Sequence, residues 1–338
     1  MNRAGRGLLL VAGLGALGCA HGEPFSPDAA DTLGPAASAL PRRLTFNVGD
    51  DRSPAAIGTE VVYSRYDPSR ATPAQCLARL PAEGGTLTSL RCPPPPTPAD
   101  TFVGTWLEPA LSDDGQSVAF VWQRGARVSA LAAWTHHLVV APADSPAAPR
   151  HEILLAGSIG GAFYNTATKL TWAGPGRVRF LAAYDSIFKV KDGGADRFTD
   201  TVAVPRGLAE LDVATGTIGP VAGPVSAYTV GPDGAPWVPD ADTLKRVADQ
   251  WTPIVALGGP VTDLAAADGY VVAARGDPAA YWWDLTDGTS GAIVLPGPVR
   301  RIAAVGGRRL VAEVEVDGRV FGAPANLWLF ELPARSGR

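Results

Sequence analysis

Residues 259–299 read GPVTDLAAADGYVVAARGDPAAYWWDLTDGTSGAIVLPGPV. Runs rich in Val, Ala, Tyr and Trp alternate here with Asp268-Gly269, Gly276-Asp277-Pro278 and Asp287-Gly288. Short apolar or aromatic runs cut by Gly, Asp and Pro are strand and turn signals, and four of them fit between the two ends of the segment. The segment begins and ends on Gly-Pro-Val. The same triplet stands earlier at Gly223-Pro224-Val225, so Gly259-Pro260-Val261 and Gly297-Pro298-Val299 follow it at intervals of 36 and 38 residues. Four strands in a unit of about 40 residues is the period of a propeller blade. Each triplet is expected to open the first strand of its blade.

Working outward, the same reading places blade three at about 158–223, blade two at 100–157 and blade one at 53–93, where four prolines after Cys92 end the ladder. That makes six. The sixth blade has no fourth strand after Leu332, while residues 42–48, RRLTFNV, form a strand with no blade of its own. The expected architecture is an all-β, six-bladed propeller of four-stranded blades over residues 42–338, closed by this N-terminal strand. Closure pairs two otherwise exposed edges, which limits edge-to-edge association.

Within blade two, Leu111-Ser112-Asp113-Asp114-Gly115-Gln116-Ser117-Val118-Ala119-Phe120 resembles the S-P-D-G-x-x-I-A-F repeat of TolB-type six-bladed propellers, with Asp113 in place of the Pro. A second copy, Gly231-Pro232-Asp233-Gly234, is degenerate, and blade one keeps only the flanks, Ser53-Pro54-Ala55 and Glu60-Val61-Val62-Tyr63-Ser64. The Asp accepts backbone hydrogen bonds and the Gly supplies positive φ, so the motif is architecture rather than chemistry. The resemblance implies the six-bladed ring and transfers no residue-level function.

Composition agrees with a turn-rich globular chain. Of 338 residues, 46% are hydrophobic and 18% charged, with 39 Gly and 31 Pro, which disfavours both disorder and long helices. The net charge of −4 becomes −6 without Arg3 and Arg6, so there is no basic surface to hold nucleic acid by counterion release.

The N-terminus carries an address. Arg3 and Arg6 precede an uninterrupted apolar and Gly run, LLLVAGLGALG at 8–18, and Cys19 follows. This is the pattern of a secretion signal, and eleven residues are about half the ~20 needed to span a bilayer. Ala16-Leu17-Gly18-Cys19 resembles the lipobox of bacterial lipoproteins, in which the Cys is diacylated through its sulfur and becomes the new N-terminus. The resemblance implies a signal peptide over 1–18, lipidation of Cys19 and a tethered chain. An ordinary signal cut near Gly18 or Ala20, with Cys19 incidental, is the competing reading. Residues 19–41 read as a solvated leash of Pro, Ala, Ser and Asp. Ala20 after the Cys implies, by the same resemblance, outer-membrane sorting, facing the periplasm or the cell surface.

Cys76 and Cys92 remain, an even pair in an exported chain, and they are expected to form a disulfide. Two strand-like runs around Glu83-Gly84-Gly85 would bring both sulfurs to the open end of a hairpin.

No catalytic constellation is evident. Gly157-Ser158-Ile159-Gly160-Gly161 has the wrong spacing for a nucleophile elbow. His136 and His137 are adjacent in a strand and point to opposite faces. Glu313, Glu315 and Asp317 alternate along one strand face, where they could serve a glycosidase or a cation, but Arg300, Arg301, Arg308 and Arg309 offer them partners. Asp192, Asp196 and Asp200 lack the alternation and closing Glu of a calcium loop. Trp282 and Trp283 fall on alternating faces of a strand, so one is expected between blades and the other is free to be exposed, with core packing the default for both. No cofactor, metal ligand or catalytic residue is assigned.

The longest insertions fall between second and third strands, at 124–133, 185–206 and 317–325, all on one side of the ring. Phe188, Lys189, Lys191, Asp192, Arg197 and Phe198, on the largest, are the candidate contact loop. The expected function is a monomeric, lipid-anchored, non-enzymatic envelope scaffold that binds a protein or peptide. The alternative is a lactonase-like or glycosidase-like propeller hydrolase, with carboxylates or Ca²⁺ at the central channel.

Overall fold

The computed structural model describes residues 40–46, 49–67, 74–95, 104–128, 131–192, 195–248, 251–315 and 324–335, with the backbone alone at 126–128, 131–133, 186–192 and 195–202. Apart from one small hairpin, every strand of these residues belongs to one of six four-stranded antiparallel sheets. Blade one is Asp51–Ile57, Glu60–Asp67, Ala74–Pro81 and Ser89–Arg91; blade two is Thr105–Leu111, Ser117–Val128, Leu131–Pro142 and His151–Leu154. Blade three is Thr166–Trp172, Arg177–Asp192, Ala195–Asp212 and Thr217–Ala222; blade four is Thr229–Val230, Pro236–Asp240, Thr243–Arg246 and Thr252–Ala256. Blade five is Asp263–Ala267, Tyr270–Ala274, Ala279–Asp284 and Ser290–Val294. Blade six takes Val299–Gly306, Arg309–Glu315 and Ala325–Glu331 from the C-terminal end, and its fourth strand is Arg42–Arg43. The molecule is a six-bladed β-propeller closed by its N-terminal segment.

The closing strand is shorter than the sequence implies. Arg42 and Arg43 pair with Leu329 and Trp328, and one further backbone bond runs from Leu44 N to Leu327 O at 2.7 Å. Thr45 then turns its side chain to the ladder, its Oγ1 accepting from Leu327 N at 3.0 Å. Asn47 and Val48, the end of the expected strand, lie outside the described residues, as do residues 1–39, on which the expected signal peptide and most of the expected leash fall.

Alternation of side chains explains why the strands read as continuous apolar runs rather than as hydrophobic-polar alternation. In Tyr270–Ala274, Val271 and Ala273 pack toward blade four while Tyr270, Val272 and Ala274 pack toward blade six. In blade one, Val61 and Tyr63 face blade six while Val62 faces blade two. A blade wedged between two others buries both faces. The apolar residues accordingly gather into six clusters, one at each interface between neighbouring blades. Trp282 and Trp283 obey the same rule. Both are half-buried between blades, Trp282 on the blade six side against Tyr270 and Trp283 on the blade four side, which is the default of core packing.

The turns between first and second strands are as the motif implies. Asp114 Oδ1 accepts from Ser112 Oγ at 2.6 Å and Gln116 N at 3.0 Å, and Gly115 sits at φ 69°. The degenerate copy keeps Ala235 N to Asp233 Oδ1 at 3.0 Å and Gly234 at φ 77°. The Gly-Pro-Val triplets mark blade junctions, but only Val299 opens a strand; Val225 and Val261 are buried plugs a few residues ahead of theirs. At Gly297 a Cβ would collide with the Glu315 carbonyl, which is why the junction requires glycine there.

The disulfide is present, Cys76 to Cys92, at the open end of the hairpin whose register pairs Leu77 with Arg91. The insertions at 124–133 and 185–206 are not loops. In blade two the ladder runs out to Val128↔Leu131, and in blade three to Asp192↔Ala195, so each is a strand hairpin extended well past the blade.

Candidate functional site

The first strand of every blade lines the central channel, and in blades one, two, three and six that strand carries a local irregularity. Register shifts fall between Arg52 and Ala55, Leu107 and Ala110, Thr168 and Thr171, and Val299 and Arg301. These are β-bulges, which re-aim a side chain. In the first three blades the bulged residue is a non-glycine with positive φ: Ser53 at 54°, Glu108 at 53° and Lys169 at 51°. Such a conformation costs of order 1 kcal/mol and persists where the surroundings hold it.

What holds it is a polar network across the channel. Glu108 Oε1 accepts from Ser53 Oγ at 3.0 Å and Arg301 Nη2 at 3.2 Å, and its Oε2 accepts from Lys169 N at 2.6 Å. Lys169 Nζ reaches over blade four to Asp263 Oδ1 at 2.5 Å and also donates to Leu264 O. Asp263 Oδ2 accepts from Ile302 N at 2.7 Å, and Arg301 Nη1 stands 3.9 Å from Oδ1. Ser53 N donates to Glu313 Oε2 at 2.8 Å. Blades two and six, and three and five, are thereby braced across the ring. Burial pushes the Lys169 ammonium below its ordinary pKa, with Asp263 opposing. Burial also works against the Arg301 charge, but Glu108, Asp263 and Glu313 more than offset it and its pKa is raised. Glu313 is pushed up by burial, opposed by Arg52 and the Ser53 N–H.

Glu313 and Glu315 thus have separate partners: Glu313 accepts from Ser53 N within this network, near Arg52 and Arg301, and Glu315 pairs with Arg300 at 2.9 Å. Asp317 lies outside the described residues. Arg308 and Arg309 pair elsewhere, with Glu331 and Glu83.

The braces close the channel near one end and leave a cavity of about 260 Å³ on the other. Its walls are small, Ala56, Ala110, Ala266, Ala303 and Ala304 among them, and exposed Asp113 stands at its rim on the side of the Asp-Gly turns. Glu108, Lys169 and Asp263 were not legible as site residues in the sequence. Pro54 and Pro109, each inside an inner strand directly after a bulged residue, are the available signal, since proline in a sheet marks an edge or a bulge.

The two histidines face opposite ways, as their adjacency dictates. His136 Nε2 is 3.3 Å from Asp185 Oδ2 of blade three, and His137 Nδ1 is 3.1 Å from Glu152. Burial lowers the pKa of both imidazoles. Among the described residues the group of three metal-ligand side chains is Asp67 with Cys76 and Cys92, whose sulfurs are joined to each other.

The side chains of Phe188, Lys189, Lys191, Asp192, Arg197 and Phe198 lie outside the described residues. Their backbone is strand, with Lys189 opposite Phe198, Val190 opposite Arg197, and Asp192 opposite Ala195. Asp192, Asp196 and Asp200 are therefore spread over a ladder rather than wrapped in a calcium loop. At the root of this hairpin the surface is aromatic. Phe163, 53% exposed, meets Tyr184 edge-on at 6.1 Å, Arg206 lies over the Tyr184 ring at 5.5 Å, and Val204 pairs with Tyr184 across the ladder. Trp134, also exposed, stands two residues from His136 in the neighbouring blade two hairpin.

No family model matches the chain, and no curated protein matches its sequence. Among solved structures it is similar to the PQQ-bound aldose sugar dehydrogenase of Streptomyces coelicolor, at 15% identity over 83% of this chain and 94% of that one, with a TM-score of 0.46. It is similar to a luciferin-regenerating enzyme at 9% identity, 87% and 93% coverage and a TM-score of 0.49. It is also similar to BamB from Moraxella catarrhalis at 11% identity, 82% and 71% coverage and a TM-score of 0.35. These likenesses carry no functional assignment, and the six-bladed ring rests on the chain's own strand order.

Proposed function

We propose that the protein is a TolB-like lipoprotein of the cell envelope, anchored through Cys19 to the outer membrane, whose propeller is a non-enzymatic scaffold for a protein or peptide partner. The observation that carries this reading is the bracing of the channel. A hydrolase needs a carboxylate free to take or give a proton, or acids free to hold a cation. Here Glu108 and Asp263 are engaged at both oxygens by cations, a hydroxyl or backbone N–H groups from other blades. The carboxylates where the inner strands converge hold the ring together.

Binding then belongs to the decorated side. Aromatic residues and Arg are enriched at protein interfaces, and the root of the blade three hairpin exposes Phe163 and Tyr184 with the half-buried Arg206 over the Tyr184 ring. The leash over 19–41, at most ~80 Å long when extended, gives this face freedom to reach a partner near the membrane.

The test combines location, contact and turnover. Cys19→Ser should move the protein from the membrane to the soluble fraction. A photo-crosslinking side chain at Phe163 should give an adduct of one discrete mass in cells, and one at Val294, 75% exposed on the outer strand of blade five, should not. Turnover of an ester, lactone or glycoside that Glu108→Gln abolishes would overturn the reading in favour of the hydrolase.

A further inference from the structure

We infer that the channel cavity is a binding site for a small organic monocarboxylate with a compact apolar body. The inference comes from a mismatch in the braces. All four carboxylate oxygens of Glu108 and Asp263 accept at least one hydrogen bond, whereas Arg301 donates one, from Nη2, and its Nη1 only approaches Asp263 at 3.9 Å. Nε and Nη1 of Arg301 carry no hydrogen bond, yet neither is among the fully buried partnerless atoms. They open onto the cavity that Arg301 lines, where its side chain is 20% exposed. Lys169 likewise uses two of its three donors, on Asp263 and Leu264, and lines the same cavity.

The floor of the cavity is therefore neutral in sum but unequal in hydrogen bonding: its acids are engaged at every oxygen, whereas its cations keep N–H donors to spare. A ligand that seats there must bring acceptors. Nη2 carries a second N–H besides the one on Glu108, and it lies parallel to an N–H of either Nη1 or Nε, so one edge of the planar guanidinium keeps two side-by-side donors that match the two oxygens of a carboxylate better than a lone carbonyl. The walls choose the rest of the ligand. Ala56, Ala266, Ala303, Leu111 and Ile57 present methyl and methylene groups. The volume of about 260 Å³ lies just below the ~300–1,000 Å³ of drug-sized sites, which fits a short branched or single-ring acid and excludes a nucleotide or an oligosaccharide. This site is independent of the docking face and stands whether or not a protein partner is found.

The probes are isovalerate and phenylacetate, each against its neutral amide, with the full-length chain, by ligand-observed NMR and calorimetry. The carboxylates should bind and the amides should be at least ~10-fold weaker, the loss expected for charge-assisted hydrogen bonds. Ala303→Leu takes up space in the cavity at a lining residue that belongs to no interblade cluster, and should abolish binding while the melting temperature holds. If that variant does not fold, Arg301→Gln supplies the test, with a loss of at least ~10-fold expected. Absence of carboxylate binding, equal binding of acid and amide, or unchanged affinity in the folded variant would each overturn the site.

Discussion

Replacing Lys169 with Met tests whether the cross-channel braces are desolvated ion pairs. Lys169 Nζ sits 2.5 Å from Asp263 Oδ1, and the Asp263 side chain is 1% exposed. Without the ammonium, Asp263 retains Ile302 N at 2.7 Å and the more distant Arg301 at 3.9 Å. Removing one partner of a buried pair costs about 3–5 kcal/mol, because the other charge is stranded. The remaining Arg301 places the expected cost at the lower end, ~3 kcal/mol, or a melting temperature lower by roughly 6–12 °C. Asp263→Asn should cost a similar amount by stranding Lys169. The double variant removes both charges while the Asn amide still accepts from Ile302 N, so it should be little worse than either single change, a coupling of ~2–3 kcal/mol. Calorimetry and urea midpoints on the four proteins give the cycle. Single variants that each cost less than ~1 kcal/mol, or costs that simply add, would mean that the pair is solvated and the channel wet, and the reasoning would fail.

Three other outcomes follow from the same structure. Reduction of the Cys76–Cys92 disulfide, or its replacement by two Ser, should lower stability by about 3 kcal/mol by the loop-entropy estimate for a 16-residue separation, with the far-UV spectrum retained. Deleting residues 20–38 should leave the melting temperature nearly unchanged, whereas deleting 20–46 removes Leu44, fully buried between blades one and six, and should cost ~3 kcal/mol or more or cause aggregation. Burial pushes the Asp284 carboxyl up, but Arg335 Nε at 2.8 Å and Thr286 N at 2.7 Å more than offset it and hold its pKa at about 2. A folded-state pKa below the unfolded value of about 3.9 contributes stability above pH 4 that is lost as pH falls toward 2, so the wild type should be more stable than Arg335→Ala at pH 6 and the gap should close by pH 2.

The repeat of blades is legible because each blade solves the same packing problem with the same residue classes. Gly259-Pro260-Val261 and Gly297-Pro298-Val299 mark junctions where a buried Val plugs the interface, and Tyr270–Ala274 is apolar throughout because both its faces are covered. The lone strand at Arg42 is legible by subtraction, since blade six is one strand short. The extended hairpins are not legible in this way. Beyond Ala183 and Gly207 they leave the flanking strands behind, so nothing imposes an apolar pattern on them, and KVKDGGADRFTD reads as a loop. The channel network escapes for a different reason. Its members repeat in position, on the inner strands of five of the six blades, but the hydroxyl of Ser53 and the charges of Glu108, Lys169, Asp263 and Arg301 differ in type because donors must meet acceptors across the ring. A search for a repeated motif passes over them.

The closing seam shows why a two-residue strand suffices. Between Glu315 and Ala325 of blade six and the N-terminal segment, the ladder contributes few backbone bonds, and side chains stand in for the missing strand. Thr45 Oγ1 takes the hydrogen bond from Leu327 N that a continuing ladder would have taken, and Asp50 Oδ1 takes the one from Ala325 N at 3.1 Å. Arg43 Nη2 reaches Asn326 Oδ1 at 2.6 Å, and Glu83 accepts from Arg42 on one side and Arg309 on the other, tying blade one to both strands of blade six. Ser53 N, itself on a bulge, donates to Glu313 at the inner edge. The apolar cluster at this seam, with Leu44, Val61, Tyr63, Val311 and Leu327, rules out a one-residue slip, which would turn Leu44 to the other face, but would tolerate a slip of two. The polar bonds would not, since each requires one side chain opposite one backbone group. Burial of Leu44 therefore stabilises the closure, while Thr45, Asp50 and Glu83 determine the register in which the N-terminal segment meets blade six.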